Sequence, residues 1–470
     1  MAITLEVLIS KYSSRHIRQA TLLLGRAVLL CLLTLVCVNF SCKETPPEPP
    51  PPPPPYVSTV QLAIEDTGVT DVWLKLRFTD TTQPRNYQLR RDNAIVLSGT
   101  LTTPDTVLLD TAALPKRTYQ YKAYRLNNTT LTDSSAALSV TTMDTTSHNF
   151  TFKIDTLGVT SSVLYDVAII NDTLAYAVGE MYLRNDTTGQ LDPIPYNMAK
   201  WDGNRWHPMR IQFYTICGQS SRTPYPASSI FAFGATDVWI TSRGGQMARW
   251  DGTTQTATIC NSDPFVINKI WGENPNSVYA VGWGGNIVHY SNGTWRRVAS
   301  GTTLDVNDVF GQRNPRTNQF EILAVAGQFS VNTERKILRL SPTQVTAVYD
   351  SGVRVTLEGI WFVPDRHYYV VGGGMFDKHS IATLGRWRAI HPNVTSVYTL
   401  CIRGAALNDA FVGGSFAELL HFNGFSWRSY RGQITNSNAE FYSVAVTGKK
   451  VFAVGWMNPR AIVVRGSRTR

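Results

Sequence analysis

Charge is scarce in this chain. Asp, Glu, Lys and Arg make up 17% of the 470 residues, against about a quarter in ordinary soluble domains. Gly, Thr, Ser and Asn fill the place of charge, and aromatics reach 11%, a composition that suits short strands joined by tight turns. No HExxH, GxSxG, Walker or CxxC pattern occurs, so zincin, nucleophile-elbow, phosphate-cradle and zinc-ribbon chemistry have no sequence support. The glycine groups Gly282-Trp283-Gly284-Gly285 and Gly372-Gly373-Gly374 have no helical pattern after them and read as turns. The formal charge of +10 is spread thinly, without a Lys/Arg cluster interleaved with aromatics, which argues against nucleic acid as a partner. The apolar run at Ala27 to Phe40 is 14 residues long, short of the about 20 that a membrane span requires.

That run follows Lys11, Arg15 and Arg18 and ends at Ser41-Cys42, the layout of an export signal. Residues 1–41 therefore read as a signal peptide whose removal lowers the formal charge to +7. The Ser41-Cys42 pair resembles a lipoprotein signal of the looser kind found in Bacteroidetes and their relatives, although Asn39 stands where such signals usually carry Leu. The resemblance implies acylation of Cys42 and a lipid anchor in the cell envelope, as an outer-membrane or cell-surface lipoprotein; a periplasm-facing orientation stays open. Residues 46–55 read PPEPPPPPPP. In polyproline II such a stretch rises about 3.1 Å per residue, so residues 42–55 form an anchor and a stiff spacer.

Short apolar runs follow, including VWLKLRF at 72–78, TVLLD and TYQYKAYRL. Their number and spacing predict a small β-sandwich over 56–145. Leu114-Pro115 followed by Tyr119, Tyr121 and Ala123, with Trp73 before them, resembles a fibronectin type III domain with its tyrosine corner.

From Val163 onward the chain repeats itself. Apolar strands end near Gly, basic and aromatic residues close the next strand, and Asp-Gly or Asn-Gly turns follow, as in MARWDG and IVHYSNG. Such turns accept positive φ and join antiparallel neighbours. Gly179, Ser242, Gly282, Gly327, Gly372, Gly413 and Gly455 recur at intervals of 63, 40, 45, 45, 41 and 42, the length of a four-stranded propeller blade. The long interval holds insertions after Met181 and near Cys217. The fold expected is all-β: a fibronectin-like sandwich, then a seven-bladed β-propeller over 148–470. Strand 149–157 is expected to complete the last blade, which otherwise ends three strands long at Arg470. The Trp-Asp-Gly turns at Trp201 and Trp250 resemble the broad WD40/YVTN/BNR-like class, without its Gly-His pairs or Asp-boxes; that resemblance implies a fold and no activity.

No catalytic residue, metal site or cofactor emerges. His289 and His421 align with Lys200, Arg249 and Arg339 and read as one repeated structural position. Asp166, Asp308 and Glu358 sit on related inner-strand segments and are the residues expected to line a central channel. In an exported protein Cys217 and Cys260 are candidates for a disulfide, with Cys401 a buried thiol; the spacing leaves three free thiols as the alternative. The segment Asn185 to Asp192 has a calcium-like composition without EF-hand spacing and reads as a turn. Rigid blades with variable loops fit a membrane-anchored binding or scaffold protein that presents its propeller to an extracellular glycan or protein. A carbohydrate-active enzyme with a site on the propeller face is the alternative.

Overall fold

The computed structural model describes residues 56–469 except 262, 329, 330, 391 and 435–437. The leader, Cys42 and the proline spacer lie outside the described residues. From Ser58 onward the chain forms one compact unit, and among the described residues no helix is long and apolar enough to cross a membrane.

The N-terminal part is two sheets face to face. Val60–Thr67, Val72–Phe78 and Asp105–Asp110 form one; Ala94–Leu101, Arg85–Arg91, Thr118–Asn127 and Thr130–Ser134 form the other, with Leu138–Thr141 beside Thr118–Asn127. Alternation decides which side faces in. Leu74, Leu76 and Phe78 are buried while Lys75 and Arg77 between them are exposed, and they meet Leu89, Tyr121, Ala123 and Val140 from the second sheet. The Leu114 amide donates to the Tyr119 hydroxyl at 2.8 Å, which pins the chain entering Thr118–Asn127.

The remainder is all-β and propeller-like: seven four-stranded antiparallel sheets, here called blades 1 to 7. Their inner strands are Val163–Asn171, Ala227–Gly234, Ile267–Asn274, Val306–Arg313, Leu357–Val363, Thr399–Ala406 and Ala439–Val446. Each packs against the next, and the seventh returns to the first. Phe150–Leu157 forms the outer strand of blade 7, pairing in unbroken register from Arg468↔Phe150 to Ala461↔Leu157. Phe150 and Phe152 stack at 6.1 Å in the apolar layer between blades 6 and 7, with Phe411, Tyr430 and Phe441. An N-terminal strand thus closes the ring and leaves the last blade no open edge. The insertion after blade 1 forms the hairpin Phe213–Tyr214 and Arg222–Thr223, and Cys217 in its turn is joined to Cys260 after blade 2 with sulfurs 2.07 Å apart. Cys401 is a buried free thiol.

The sandwich docks on the turns of blades 4 to 6 at one face of the ring. Arg366, 2% exposed, donates to Asp66 and lies 5.1 Å from the Trp73 ring centre. Arg316 pairs with Glu65, and Asn408 donates to the Asp144 carbonyl at 2.9 Å. Gly424, at φ 91°, faces Val69 so closely that a Cβ there would sit 2.3 Å from the valine methyl.

Candidate functional site: the bulge-lined mouth of the channel

All seven inner strands carry an irregularity at the same place. Pairing with the second strand skips one residue between Leu164 and Asp166, Ala227 and Ser229, Ile267 and Lys269, Val306 and Asp308, Leu357 and Gly359, Thr399 and Cys401, and Phe441 and Ser443. A β-bulge re-aims the extra side chain. The seven extra residues, Tyr165, Ser228, Asn268, Asn307, Glu358, Leu400 and Tyr442, all line one cavity of about 270 Å³ at the channel mouth. The recurring glycine belongs to this device. Opposite the bulge, a Cβ on Gly179, Gly282, Gly372 or Gly455 would lie 1.7–2.2 Å from a carbonyl oxygen of the bulged segment, so the repeat seen in sequence marks where the bulged backbone leans on its neighbour.

Below the bulge ring lies a belt of buried charge. Asp166, 1% exposed, accepts from the Ser229 hydroxyl at 2.7 Å and the Ile230 amide at 2.9 Å. Lys269 Nζ reaches it at 2.6 Å and the Ser443 hydroxyl at 2.7 Å, so one carboxylate ties blade 1 to blades 2, 3 and 7. Burial pushes this carboxyl up, but Lys269 and the hydrogen bonds outweigh it and leave the pKa below the usual carboxylate range. Asp308 accepts two bonds from the Arg403 guanidinium, at 2.8 and 2.7 Å, and one from the Ile360 amide at 2.9 Å. Burial alone would lower the Arg403 pKa; the Asp308 charge and hydrogen bonds raise it instead. Both acids, expected from sequence as channel-lining, act as clasps between blades; Asp308 also lines the cavity at the channel mouth, whereas Asp166 lies outside its lining.

Glu358 differs. It is itself a bulge residue, it accepts the Tyr398 hydroxyl at 2.7 Å, and no cation pairs with it among the described residues. Burial lifts its pKa to about 7; Tyr398 opposes the shift, and the Asp305 and Asp308 charges add to it. Around it the rim is aromatic and polar. Arg243 donates to the Tyr165 hydroxyl at 2.8 Å, Tyr165 and Tyr442 lie 6.1 Å apart, and Tyr442 and Tyr182 donate to Glu440 and Glu180 at 2.7 and 2.5 Å. Trp283 and Phe416, each 50% exposed, stand on turns of the same face. A wider groove of about 880 Å³ on this face runs beside blades 3 and 4, but Arg297 and Arg335 in its lining pair with Asp263 and Asp350, so few groups converge there.

The opposite mouth, of about 260 Å³, is lined by Ile169, Ala232, Trp271, Phe310 and Val446 around the under-sides of Lys269 and Arg403. His289 and His421 sit away from the channel. Each closes a tether inside its blade, to Ser277 at 2.9 Å and Asp409 at 3.1 Å, just as Arg249 pairs with Asp237 and Arg339 with Glu321. The loop at Asn185 is an ordinary turn, the Asn185 side chain accepting the Thr187 and Thr188 amides. Sequence reading did not find Lys269, Arg403, Tyr398 or the bulge ring. Their signal was the column of residues just before and after Asp166 and Asp308 in the aligned inner strands.

No protein-family model matches this chain, and no curated protein matches it in sequence. Solved structures do share its fold. A structure of YCF48 bound to D1 peptide aligns with a TM-score of 0.50 at 16% identity, over 68% of this chain and 97% of that one. The WD40 β-propeller domain of Doa1 gives 0.48 at 11%, over 68% and 98%. YCF48 from Cyanidioschyzon merolae gives 0.46 at 15%, over 66% and 98%. The chain is therefore a propeller-type protein, and identities this low carry the architecture alone.

Proposed function

We propose that this protein is a noncatalytic binding or scaffold protein that offers the bulge-lined face of its propeller to a glycan or protein partner. The observation that carries the proposal is the ring of seven re-aimed side chains around one cavity, Tyr165, Glu358 and Tyr442 among them. Half-exposed aromatics beside fixed hydrogen-bonding groups suit sugar rings and peptide side chains alike. The YCF48 structure has a peptide bound, which is in keeping with a propeller face serving a protein partner. The sandwich docks on the other face and does not cover the polar mouth; an N-terminal export signal, acylated Cys42 and proline spacer would anchor the molecule in the cell envelope. Glycan and peptide arrays probed with the protein test this: retention that falls at least tenfold on Trp283→Ala is expected, and equal retention would overturn it.

A carbohydrate-active enzyme is the second reading, favoured by Glu358, whose pKa of about 7 suits a general acid. Glycosidases usually pair two carboxyl groups, and Asp308, which shares the cavity, is held by Arg403. Turnover of an array-positive glycan that disappears in Glu358→Gln would establish this reading in place of the first.

A further inference from the structure

In blades 2, 3, 4 and 6 a polar or acidic residue opening the second strand meets a basic or imidazole residue on the third, at 2.8 to 3.1 Å. Blade 5 inverts the pair and adds to it. His367 opens the second strand, Asp377 lies on the third, and His367 Nε2 bonds the Asp377 carboxylate at 2.9 Å. Arg388 holds that carboxylate from the outer strand, so the tether is already complete. His379 and Asp71 are surplus to it, yet both converge on it. The two imidazole rings lie 4.4 Å apart, and the Asp71 carboxylate arrives from the sandwich turn that the Gly68 amide closes on the Asp71 carbonyl. One ligand atom from each of Asp71, His367 and His379 lies within 4.8 Å of the others.

We infer that Asp71, His367 and His379 form a zinc site that fastens the sandwich to blade 5. The Asp71 side chain is 11% exposed, and its ion pair to His379 Nε2 is 3.5 Å long, too long for a good hydrogen bond. Two ligands at zinc distances and a tetrahedral angle lie roughly 3.3 Å apart, so the same separation suits a shared cation. Among the described residues the Asp71 carboxylate makes no closer polar contact than this one, and the Arg388 charge within its reach is already engaged by Asp377, so a bound cation would relieve its burial. Asp377 supplies the support that metal-bound imidazoles ordinarily have: it accepts from Nε2 of His367 and leaves Nδ1 as the nitrogen able to bind a metal. Three protein ligands, two nitrogens and one oxygen, leave a fourth position for water or another ligand, and Asp71, His367 and His379 all line a cleft of about 650 Å³ between sandwich and blades. The sequence hid this group because Asp71 lies in another domain and the histidines carry no metal-motif spacing.

The full chain, stripped with chelator, incubated with zinc chloride and dialysed, is expected to retain one zinc per molecule by mass spectrometry. Zinc is also expected to raise its melting temperature by several degrees, with no such rise from calcium. His379→Ala and Asp71→Asn should each keep the wild-type circular dichroism spectrum and lose both effects, whereas His207→Ala, on the surface beside Asp202, should keep both. Should His379→Ala not fold, the near-isosteric Asp71→Asn decides. Wild type that retains no zinc, or Asp71→Asn that retains a full equivalent with an unchanged thermal shift, would overturn the site.

Discussion

The two mouths of the channel are nearly equal in volume and differ in the side chains that ring them. About 270 Å³ on one side is ringed by tyrosines, asparagines and Glu358; about 260 Å³ on the other is ringed by Ile169, Trp271, Phe310 and Val446. The same inner strands build both. What differs is the bulge, which adds one residue near the start of every inner strand and so presents side chains that the regular pleat would turn elsewhere. Past the clasps formed by Asp166 and Asp308 the inner strands of blades 4, 5 and 7 pair regularly, those of blades 1, 2, 3 and 6 shift register once more only near their far ends, apolar residues dominate, and the sandwich covers the neighbouring turns. The contrast teaches that position along a blade, more than residue type, divides the bulge-lined mouth from the apolar one.

The comparison breaks most completely if the ring opens. Deleting residues 149–157 removes the outer strand of blade 7 and unpacks Phe150 and Phe152 from Phe411, Tyr430 and Phe441. The exposed edge then offers unpaired backbone groups to other chains. A loss of well over 5 °C in melting temperature, with oligomers in size-exclusion chromatography, is expected; a monomer with unchanged melting would show that the mouths are not held by closure.

Next in size is the belt between the mouths. Arg403→Met leaves Asp308 buried without its counter-charge, a change that costs about 3–5 kcal/mol. Adding Asp308→Leu should recover much of that loss in urea denaturation. If Arg403→Met alone leaves stability unaltered, the charges are not clasps, and Asp308 becomes available for chemistry at the polar mouth.

Smaller is the pH dependence of Glu358. Its folded pKa of about 7 lies above the 4.5 of an unperturbed glutamate, so the folded state holds the proton more tightly. Stability from this group is full below about 4.5 and is lost as pH rises through 7. Between pH 5 and 8 the wild type is expected to lose on the order of 1–3 kcal/mol more than Glu358→Gln. Parallel pH profiles for the two proteins would show that Glu358 is solvated like an ordinary rim residue.

How much of this was legible in the sequence depends on the range of the interaction. The blades were legible because Asp-Gly and Asn-Gly turns and the recurrent glycine are local signals, and strand 149–157 was legible because the last unit lacked a strand. Two glycine positions were misplaced by one residue: the partners before the bulge are Ala326 in blade 4 and Gly414 in blade 6, where sequence alignment took Gly327 and Gly413. The candidate site was legible only in part. Asp166, Asp308 and Glu358 fell in one aligned segment, but Glu358 is the bulge residue and the other two are the residue after it, a difference of one position that separates a rim group from a buried clasp. Their partners Lys269, Ser443 and Arg403 lie 103, 277 and 95 residues from the acids they bind, and nothing local announces such pairs. The zinc-type cluster is the extreme case, with Asp71 nearly 300 residues from His367.

The central claim is that the bulge-lined mouth receives the partner and the apolar mouth does not. The direct measurement compares two double variants with the wild type for retention on one glycan and peptide array: Arg243→Ala with Trp283→Ala at the polar rim, and Ile169→Ser with Val446→Ser at the apolar mouth. The account predicts at least tenfold weaker retention for the first pair, whose side chains are exposed and whose loss costs little stability, and retention within twofold of wild type for the second. Loss of retention confined to the Ile169 and Val446 pair, with both proteins folded, would contradict it.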